Sequence, residues 1–122
     1  MKLYRPTGEK EKQLIEESGW KRFPPRLSGQ PFFYPVLSKE YAIEIARDWN
    51  AMDEQSEFTG YVFEFDVDDE FIKKYDIQTV GASYHQELWV PSDELEEFND
   101  HIIGTIDFKR LYMGYDKREY PI

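Results

Sequence analysis

Six polar side chains that could take part in chemistry fall on segments predicted to be strands. They are Arg5, Tyr34, Glu64, His85, Gln86 and Glu87. Glu87 is the first of these to consider because Leu88, Trp89 and Val90 follow it, a pattern that predicts a partly buried strand. Glutamate is depleted from strands, and burying a carboxylate costs free energy unless a partner compensates it. We therefore predict that Glu87 is a functional residue.

Each of these residues also has a purely structural interpretation. Arg5 could pair with a surface acid, or form a structural ion pair with Glu87. A histidine on a strand, such as His85, is more commonly a satisfied hydrogen-bonding residue than a base. Tyr34 and Trp49 have side chains that more commonly pack in a core than line a site.

Several standard sites are excluded by residue type. The chain has no glycine-rich phosphate loop and no G-x-S-x-G motif. The acids from Asp66 to Glu70 resemble the start of a calcium loop, but Phe71 stands where the tight turn needs glycine. We interpret these acids as the first turn of a helix. With two histidines and no cysteine, the sequence predicts no metal site.

Length and composition predict a single cytoplasmic domain. The 122 residues are enough for one core, which we place at about 2–111 with a C-terminal tail at 112–122. The absence of cysteine suits a reducing compartment. No apolar run approaches the roughly 20 residues that cross a bilayer, and the first residues lack the apolar segment of a signal peptide. We therefore expect no membrane association.

The net charge of −10 argues against general nucleic-acid binding, which depends on neutralising phosphates. It leaves open a second kind of function. The acidic clusters at 66–70 and 93–97 could make the chain a non-catalytic interaction protein that binds or inhibits a basic partner. The simpler alternative is that the acids only keep the domain in solution.

The chemistry-bearing residues need elements to position them, and the sequence predicts strands and short helices in irregular alternation. Strands are predicted at 2–5, 32–36, 61–67, 77–80, 85–90 and 102–111. Helices are predicted at 8–18, 39–50, 68–75 and 93–99, with Thr7, Ser38 and Ser92 as N-caps. In the second helix, Tyr41, Ala42, Ile45, Ala46 and Trp49 form one apolar stripe. The fold class is α+β.

Three segments carry a resemblance to a known family. They are Leu3-Tyr4-Arg5, Phe33-Tyr34-Pro35-Val36 leading through Ser38 into a helix, and Gln86-Glu87-Leu88-Trp89-Val90-Pro91. In this order they resemble the three core segments of ADP-ribosyltransferase-like domains. The chain up to about Phe108 also resembles a family of small bacterial proteins with ADP-ribosylation/crystallin-type names.

This resemblance implies a split pair of small, bent, mostly antiparallel sheets that bind nicotinamide adenine dinucleotide (NAD) in the cleft between them. The implied activity is transfer of ADP-ribose or hydrolysis of NAD. Arg5 would hold a phosphate or ribose, and Glu87 would be the catalytic carboxylate that bonds a ribose hydroxyl and stabilises an oxocarbenium-like state. Tyr34, Ser38, His85 and Gln86 are the other implied cofactor-binding residues. His85 departs from the Glu or Gln that many protein-modifying transferases have at this position.

Overall fold

The computed structural model describes residues 1–114 and 118–120, which form antiparallel strands and short helices. The strands are β1 (Lys2–Thr7), β2 (Phe32–Phe33), β3 (Thr59–Val67), β4 (Ile77–Thr79), β5 (Gln86–Leu88), β6 (Val90–Pro91), β7 (Ile102–Met113) and β8 (Arg118–Tyr120). The helices are α1 (Glu9–Glu17), α2 (Lys39–Asp48), α3 (Asp69–Ile72) and α4 (Leu95–Asp100). The predicted α+β class is confirmed.

The largest sheet has the strand order β1-β3-β7-β8, and all its pairs are antiparallel. Strand β3 lies between β1 and β7 and has the alternating aromatic and β-branched pattern of a buried strand. As the alternation predicts, Tyr61, Phe63, Phe65 and Val67 face one core, where they pack with Leu3. Both faces of this sheet are therefore covered, because the opposite face carries a second core.

The second core lies beneath α2. Ala42 and Ala46 of that helix pack on Val62 of β3, together with Val36 and Tyr112. The small side chains of α2 let its backbone approach the sheet closely, and the predicted apolar stripe is confirmed at these positions. The prediction was wrong for Trp49, the last residue of the stripe. The helix stops at Asp48 with Trp49 as its C-cap, and the Trp49 side chain is 71% exposed.

The C-terminal region extends the sheet further than the sequence suggests. Strand β7 continues to Met113, and β8 pairs with it so that Tyr112 lies opposite Glu119. Residues 112–113 and 118–120 of the predicted tail are thus strand residues. Residues 115–117 and 121–122 of that tail lie outside the described residues.

Val36 joins the large sheet to the small antiparallel pair of β4 and β5, and a second small antiparallel pair is formed by β2 and β6. The N–H and carbonyl of Val36 exchange hydrogen bonds of 2.8 and 2.9 Å with Tyr4 of β1. On its other side, the flanking residues bond β5, from Leu37 N–H to Gln86 and from Leu88 N–H to Pro35. A continuous row of backbone pairs therefore runs from β4 through Val36 to β1.

The backbone pairing between β1 and the segment at Val36 stops immediately beyond Val36, on the side of Tyr34. In an antiparallel pair, every second residue donates its N–H to the same neighbouring segment. After Tyr4, the next residue of β1 in position to donate to the segment at Val36 is therefore Pro6. Proline has no N–H, and no backbone hydrogen bond joins Pro6 and Tyr34. The cleft described below lies at this point, between β1 and the segment after β2.

Two helix starts differ from the predicted caps. Thr7 belongs to β1, and the N-cap of α1 is Gly8, which provides no side-chain cap. Ser92 begins a 3-10 turn, Ser92–Glu94, and does not cap α4, which starts at Leu95. The Ser38 cap is confirmed, because its Oγ accepts a 3.1 Å hydrogen bond from the N–H of Tyr41.

Candidate functional site

The cleft between β1 and the residues after β2 contains a cavity of about 310 Å³. Its lining residues are Arg5, Pro6, Tyr34, Val36, Ile45, Asn50 and Glu87. Three of the residues predicted for the site, Arg5, Tyr34 and Glu87, therefore meet at one cavity. They come from β1, the segment after β2, and β5, which the pairing of Val36 brings side by side.

The Glu87 carboxylate is held at both oxygens. Its Oε2 accepts a 3.1 Å hydrogen bond from the Tyr41 hydroxyl, and its Oε1 accepts a 2.8 Å hydrogen bond from Nε1 of Trp89. Burial, and next the charge of Glu87, raise the pKa of Tyr41 to about 12. The phenol therefore stays protonated at neutral pH and remains a donor. This arrangement fixes the direction of a partly buried carboxylate.

An aromatic cluster lies beside Glu87. Phe32, Tyr34 and Trp89 contact one another with ring centroids 5.9 to 6.3 Å apart. They share a face because Phe32 and Tyr34 are two residues apart, while Phe33 between them packs into the core. Trp89 is 40% exposed and packs its ring against those of Phe32 and Tyr34. The cluster is partly exposed and lies next to a carboxylate held by the Trp89 indole.

Arg5 takes its counter-ion from α1. Its Nε and Nη2 form two hydrogen bonds of 2.8 and 2.9 Å with the Glu11 carboxylate, and its guanidinium lies 4.8 Å over the ring of Phe33. Both ends of this pair are largely buried, with 11% and 19% of their side chains exposed. The structural ion pair considered between Arg5 and Glu87 was therefore wrong, although both residues line one cavity.

Arg26 is a second buried cation at the same place. Its Nε donates a 3.0 Å hydrogen bond to the Phe32 carbonyl, and its Nη1 lies 3.8 Å from Glu11. Only 14% of its side chain is exposed. Burial, and next the charge of Arg5, lower the pKa of Arg26 from its ordinary value. Two arginines thus share a single carboxylate, Glu11.

A second cavity of about 270 Å³ adjoins the first and shares Arg5, Pro6 and Asn50 with it. Within the described residues, two buried side-chain oxygens at this cavity have no hydrogen-bond partner, Oγ1 of Thr7 and Oδ1 of Asn50. Unpaired buried polar atoms are uncommon in folded proteins. Both atoms are buried, so each leaves a hydrogen bond unmade in the free protein.

The other predicted site residues lie outside the two cavities. Ser38 caps α2, and its hydroxyl also lies 3.4 Å from the Tyr84 carbonyl. The Gln86 amide lies 3.4 Å from the Thr79 hydroxyl. Glu64 lies on the sheet between two lysines, Lys2 and Lys109.

His85 has an arrangement of its own beside the site. Its Nδ1 accepts a hydrogen bond from the N–H of Ala82, so Nε2 carries the hydrogen that points to Glu44, 2.7 Å away. The imidazole stacks on the Tyr41 ring with centroids 4.6 Å apart. His85 therefore supports Tyr41, which in turn holds Glu87, and it does not line the cavity.

Sequence reasoning missed Glu11, Arg26, Tyr41 and Asn50 as site residues. Arg26 and Asn50 lie outside the three segments that carry the family resemblance, so the resemblance did not identify them. Tyr41 was recognised only as part of an apolar stripe, because helical periodicity does not report which stripe residue has a polar end. Nothing in the sequence pairs Glu11 with Arg5.

Much of the acidic surface is neutralised internally. Asp68 caps α3 through the N–H of Phe71, and Asp69 pairs with the N-terminal amine. Glu94 accepts from the Tyr75 hydroxyl and pairs with Lys74 at 3.0 Å. The helix-start interpretation of the first cluster is confirmed for Asp68, Asp69 and Glu70, whereas Asp66 lies in β3.

Comparisons with family models, with curated proteins and with solved structures each find no match to this chain. The described part of the chain has no helix with the length and apolar character to cross a membrane. Within residues 1–114 and 118–120, no group of three or more His, Asp or Glu side chains is arranged to hold a metal ion.

Proposed function

We propose that this chain is an ADP-ribosyltransferase-like domain that binds NAD in the cleft and uses Glu87 to transfer ADP-ribose or to hydrolyse NAD. The observation that carries the proposal is the meeting of Arg5, Tyr34 and Glu87 at one cavity. These residues are far apart in sequence, and the sequence predicts each of them as a site residue.

The proposed chemistry is cleavage of the bond between nicotinamide and ribose. The bonding electrons leave with nicotinamide, and positive charge develops on the ribose as an oxocarbenium-like state. An acceptor group or water then adds to the ribose carbon and loses its proton to solvent. Glu87 stabilises the developing charge, and this favours the transition state more than the ground state.

The hydrogen bonds to Glu87 support this role. Tyr41 and Trp89 each donate to one carboxylate oxygen, so the group does not need to reorient as charge develops. Pre-oriented groups of this kind are the ones that lower a barrier most effectively. The ring of Tyr34, which lines the same cavity as Glu87, would be the stacking surface for the flat nicotinamide.

Capture of a basic partner by the acidic surface is less well supported. Asp69 and Glu94 already have internal cationic partners. The second proposed function predicts salt-dependent capture of a basic protein that charge reversal at Glu94, Glu96 and Glu97 abolishes. The cleft has the stronger support because it gathers predicted residues from three separate segments.

The test compares Glu87→Gln with Glu94→Gln. Each of these glutamates accepts a tyrosine hydroxyl, but Glu94 lies outside both cleft cavities. Saturating NAD should raise the melting temperature of the wild type, since a ligand at 100 times its Kd stabilises the fold by about 2.7 kcal/mol. The wild type should also release nicotinamide. Glu87→Gln should abolish that release and retain the circular-dichroism spectrum, whereas Glu94→Gln should match the wild type.

Two results would reject the proposal. One is a wild-type protein that shows neither a thermal shift with NAD nor release of nicotinamide. The other is equal nicotinamide release from the wild type and from Glu87→Gln.

A further inference from the structure

We infer that the second cavity is a diphosphate-binding subsite, formed by the start of α1, Thr7 and Arg26 together with Arg5. The inference rests on the proposed function, since the diphosphate would be that of the bound dinucleotide. It assigns the main phosphate contacts to residues outside the three segments that predicted the cleft. Four independent observations carry it.

The first observation is an uncapped helix start at the cavity. The N-cap of the nine-residue helix α1 is Gly8, and no side chain accepts the free N–H groups of its first turn as a cap. Gly8, Lys10 and Glu11 line the cavity, so this turn borders it. Free N–H groups and the positive end of the helix dipole together bind phosphate oxygens.

The second observation is the Thr7 hydroxyl. Thr7 is only 2% exposed and lines the same cavity, and its Oγ1 has no hydrogen-bond partner among the described residues. A buried hydroxyl without a partner destabilises the free protein. A phosphate oxygen in the cavity would accept its hydrogen and remove that cost.

The third observation is that Arg26 has few acceptors for its side-chain N–H groups. Its Nη1 has only the 3.8 Å contact with Glu11, and its Nη2 has no hydrogen-bond acceptor among the described residues. The nearest carboxylate is already occupied by two hydrogen bonds from Arg5. A planar guanidinium with unoccupied donors is suited to two phosphate oxygens at once.

The fourth observation is the charge at the cavity. Three basic side chains, Arg5, Lys10 and Arg26, line it with two acidic ones, Glu11 and Asp53. This is a local excess of positive charge in a chain whose net charge is −10. The surplus guanidinium is largely buried, where a missing counter-ion costs more than it would in water. A diphosphate supplies that counter-charge.

The position of the subsite also suits a dinucleotide. The two cavities share Arg5, Pro6 and Asn50, so one extended ligand can occupy both. Its nicotinamide end would lie beside Glu87 and its diphosphate at α1. The unpaired Oδ1 of Asn50, between the two cavities, would accept a ribose hydroxyl.

Calorimetric titration with inorganic pyrophosphate and with ADP tests the subsite without any cleavage of NAD. Arg26→Gln should weaken binding of both probes by about tenfold, as expected for loss of charged hydrogen bonds. The matched control is Arg22→Gln, because Arg22 also contacts one carboxylate, Asp100, and one backbone carbonyl, that of Glu96. This control should bind both probes as the wild type does.

Thr7→Val is a second, independent test of the diphosphate subsite. It keeps the side-chain shape and removes only the unpaired hydroxyl, so the melting temperature should be unchanged or higher while pyrophosphate binding weakens about threefold. Absence of pyrophosphate and ADP binding by the wild type would overturn the inference, as would equal affinities in the wild type and Arg26→Gln. Pyrophosphate binding without release of nicotinamide would reject the proposed enzymatic function and retain the subsite.

Discussion

The hydroxyl of Tyr41 donates a 3.1 Å hydrogen bond to Oε2 of Glu87, and so ties α2 to β5 across 46 residues of sequence. The contact exists because Ser38 caps α2 two residues after Val36, which pairs with Glu87 of β5. The first turn of the helix therefore lies over β5. In our proposal Tyr41 is a positioning residue that holds the catalytic carboxylate.

Tyr41→Phe should lower kcat for nicotinamide release by about tenfold and leave KM for NAD nearly unchanged, because an orientation used mainly in the transition state is lost. Steady-state kinetics measures this split. The matched control is Tyr75→Phe, whose hydroxyl donates a 2.9 Å hydrogen bond to Glu94 outside the cleft. A rise in KM without loss of kcat would contradict a positioning role.

Tyr41 also predicts an effect at alkaline pH. Its pKa is raised from 10.0 to about 12 in the folded protein, first by burial and next by Glu87. The protonated phenol therefore stabilises the folded state fully below pH 10.0, and this contribution is lost as the pH rises from 10.0 toward about 12. Tyr41→Phe removes the titrating group. The difference in free energy of unfolding between wild type and variant should shrink over that range.

Urea unfolding at a series of alkaline pH values measures that difference. Other tyrosines titrate in both proteins, so only the difference between the two curves reports on Tyr41. Curves that stay parallel from neutral pH to about pH 12 would show that Tyr41 is not responsible.

The contact between α2 and β3 gives a prediction of stability. A Cβ atom added at Gly60 would lie 2.1 Å from the carbonyl oxygen of Ala46. This oxygen belongs to the backbone, so no change of side-chain rotamer can relieve the clash. Gly60→Ala should therefore lower the free energy of unfolding by about 3 kcal/mol, at the high end for overpacking. Denaturant unfolding measures the change.

Gly29→Ala is the control for this variant. Gly29 has a φ of +85°, and no atom lies within 4 Å of an added Cβ. Only backbone strain applies there, with a cost of about 1 kcal/mol. Equal losses in the two variants would mean that the Ala46 contact is not what requires glycine at position 60.

Local features of the chain were predictable from sequence. The Ser38 cap, the alternation that divides β3 between two faces, and Gly19 with its positive φ after α1 all depend on residues within one or two turns of each other. Caps, periodicity and glycine conformations are decided by short-range geometry and sterics. Most strands and helices were therefore identified with ends displaced by a few residues, but the strand predicted at 85–90 is divided between β5 and β6, and β8 lies in the predicted tail.

Part of the candidate site was also predictable. Glu87 was selected because a carboxylate on a half-buried strand needs a partner, and the structure has two such partners in Tyr41 and Trp89. Arg5, one partner considered for Glu87, instead forms its ion pair with Glu11 of the adjacent helix α1. Composition reveals that a buried charge needs a counter-charge, but it does not reveal which of 25 acids supplies it.

By itself, the sequence determined the kind of element at each place and which residue types were unusual there. The tertiary structure decided which of these residues meet. Pro6 ends the pairing between β1 and the segment at Val36, and the resulting gap receives side chains from β1, β5 and the start of α1. The proximity of these side chains depends on strand order and on backbone pairing between residues that are tens of positions apart. No local sequence pattern encodes that pairing.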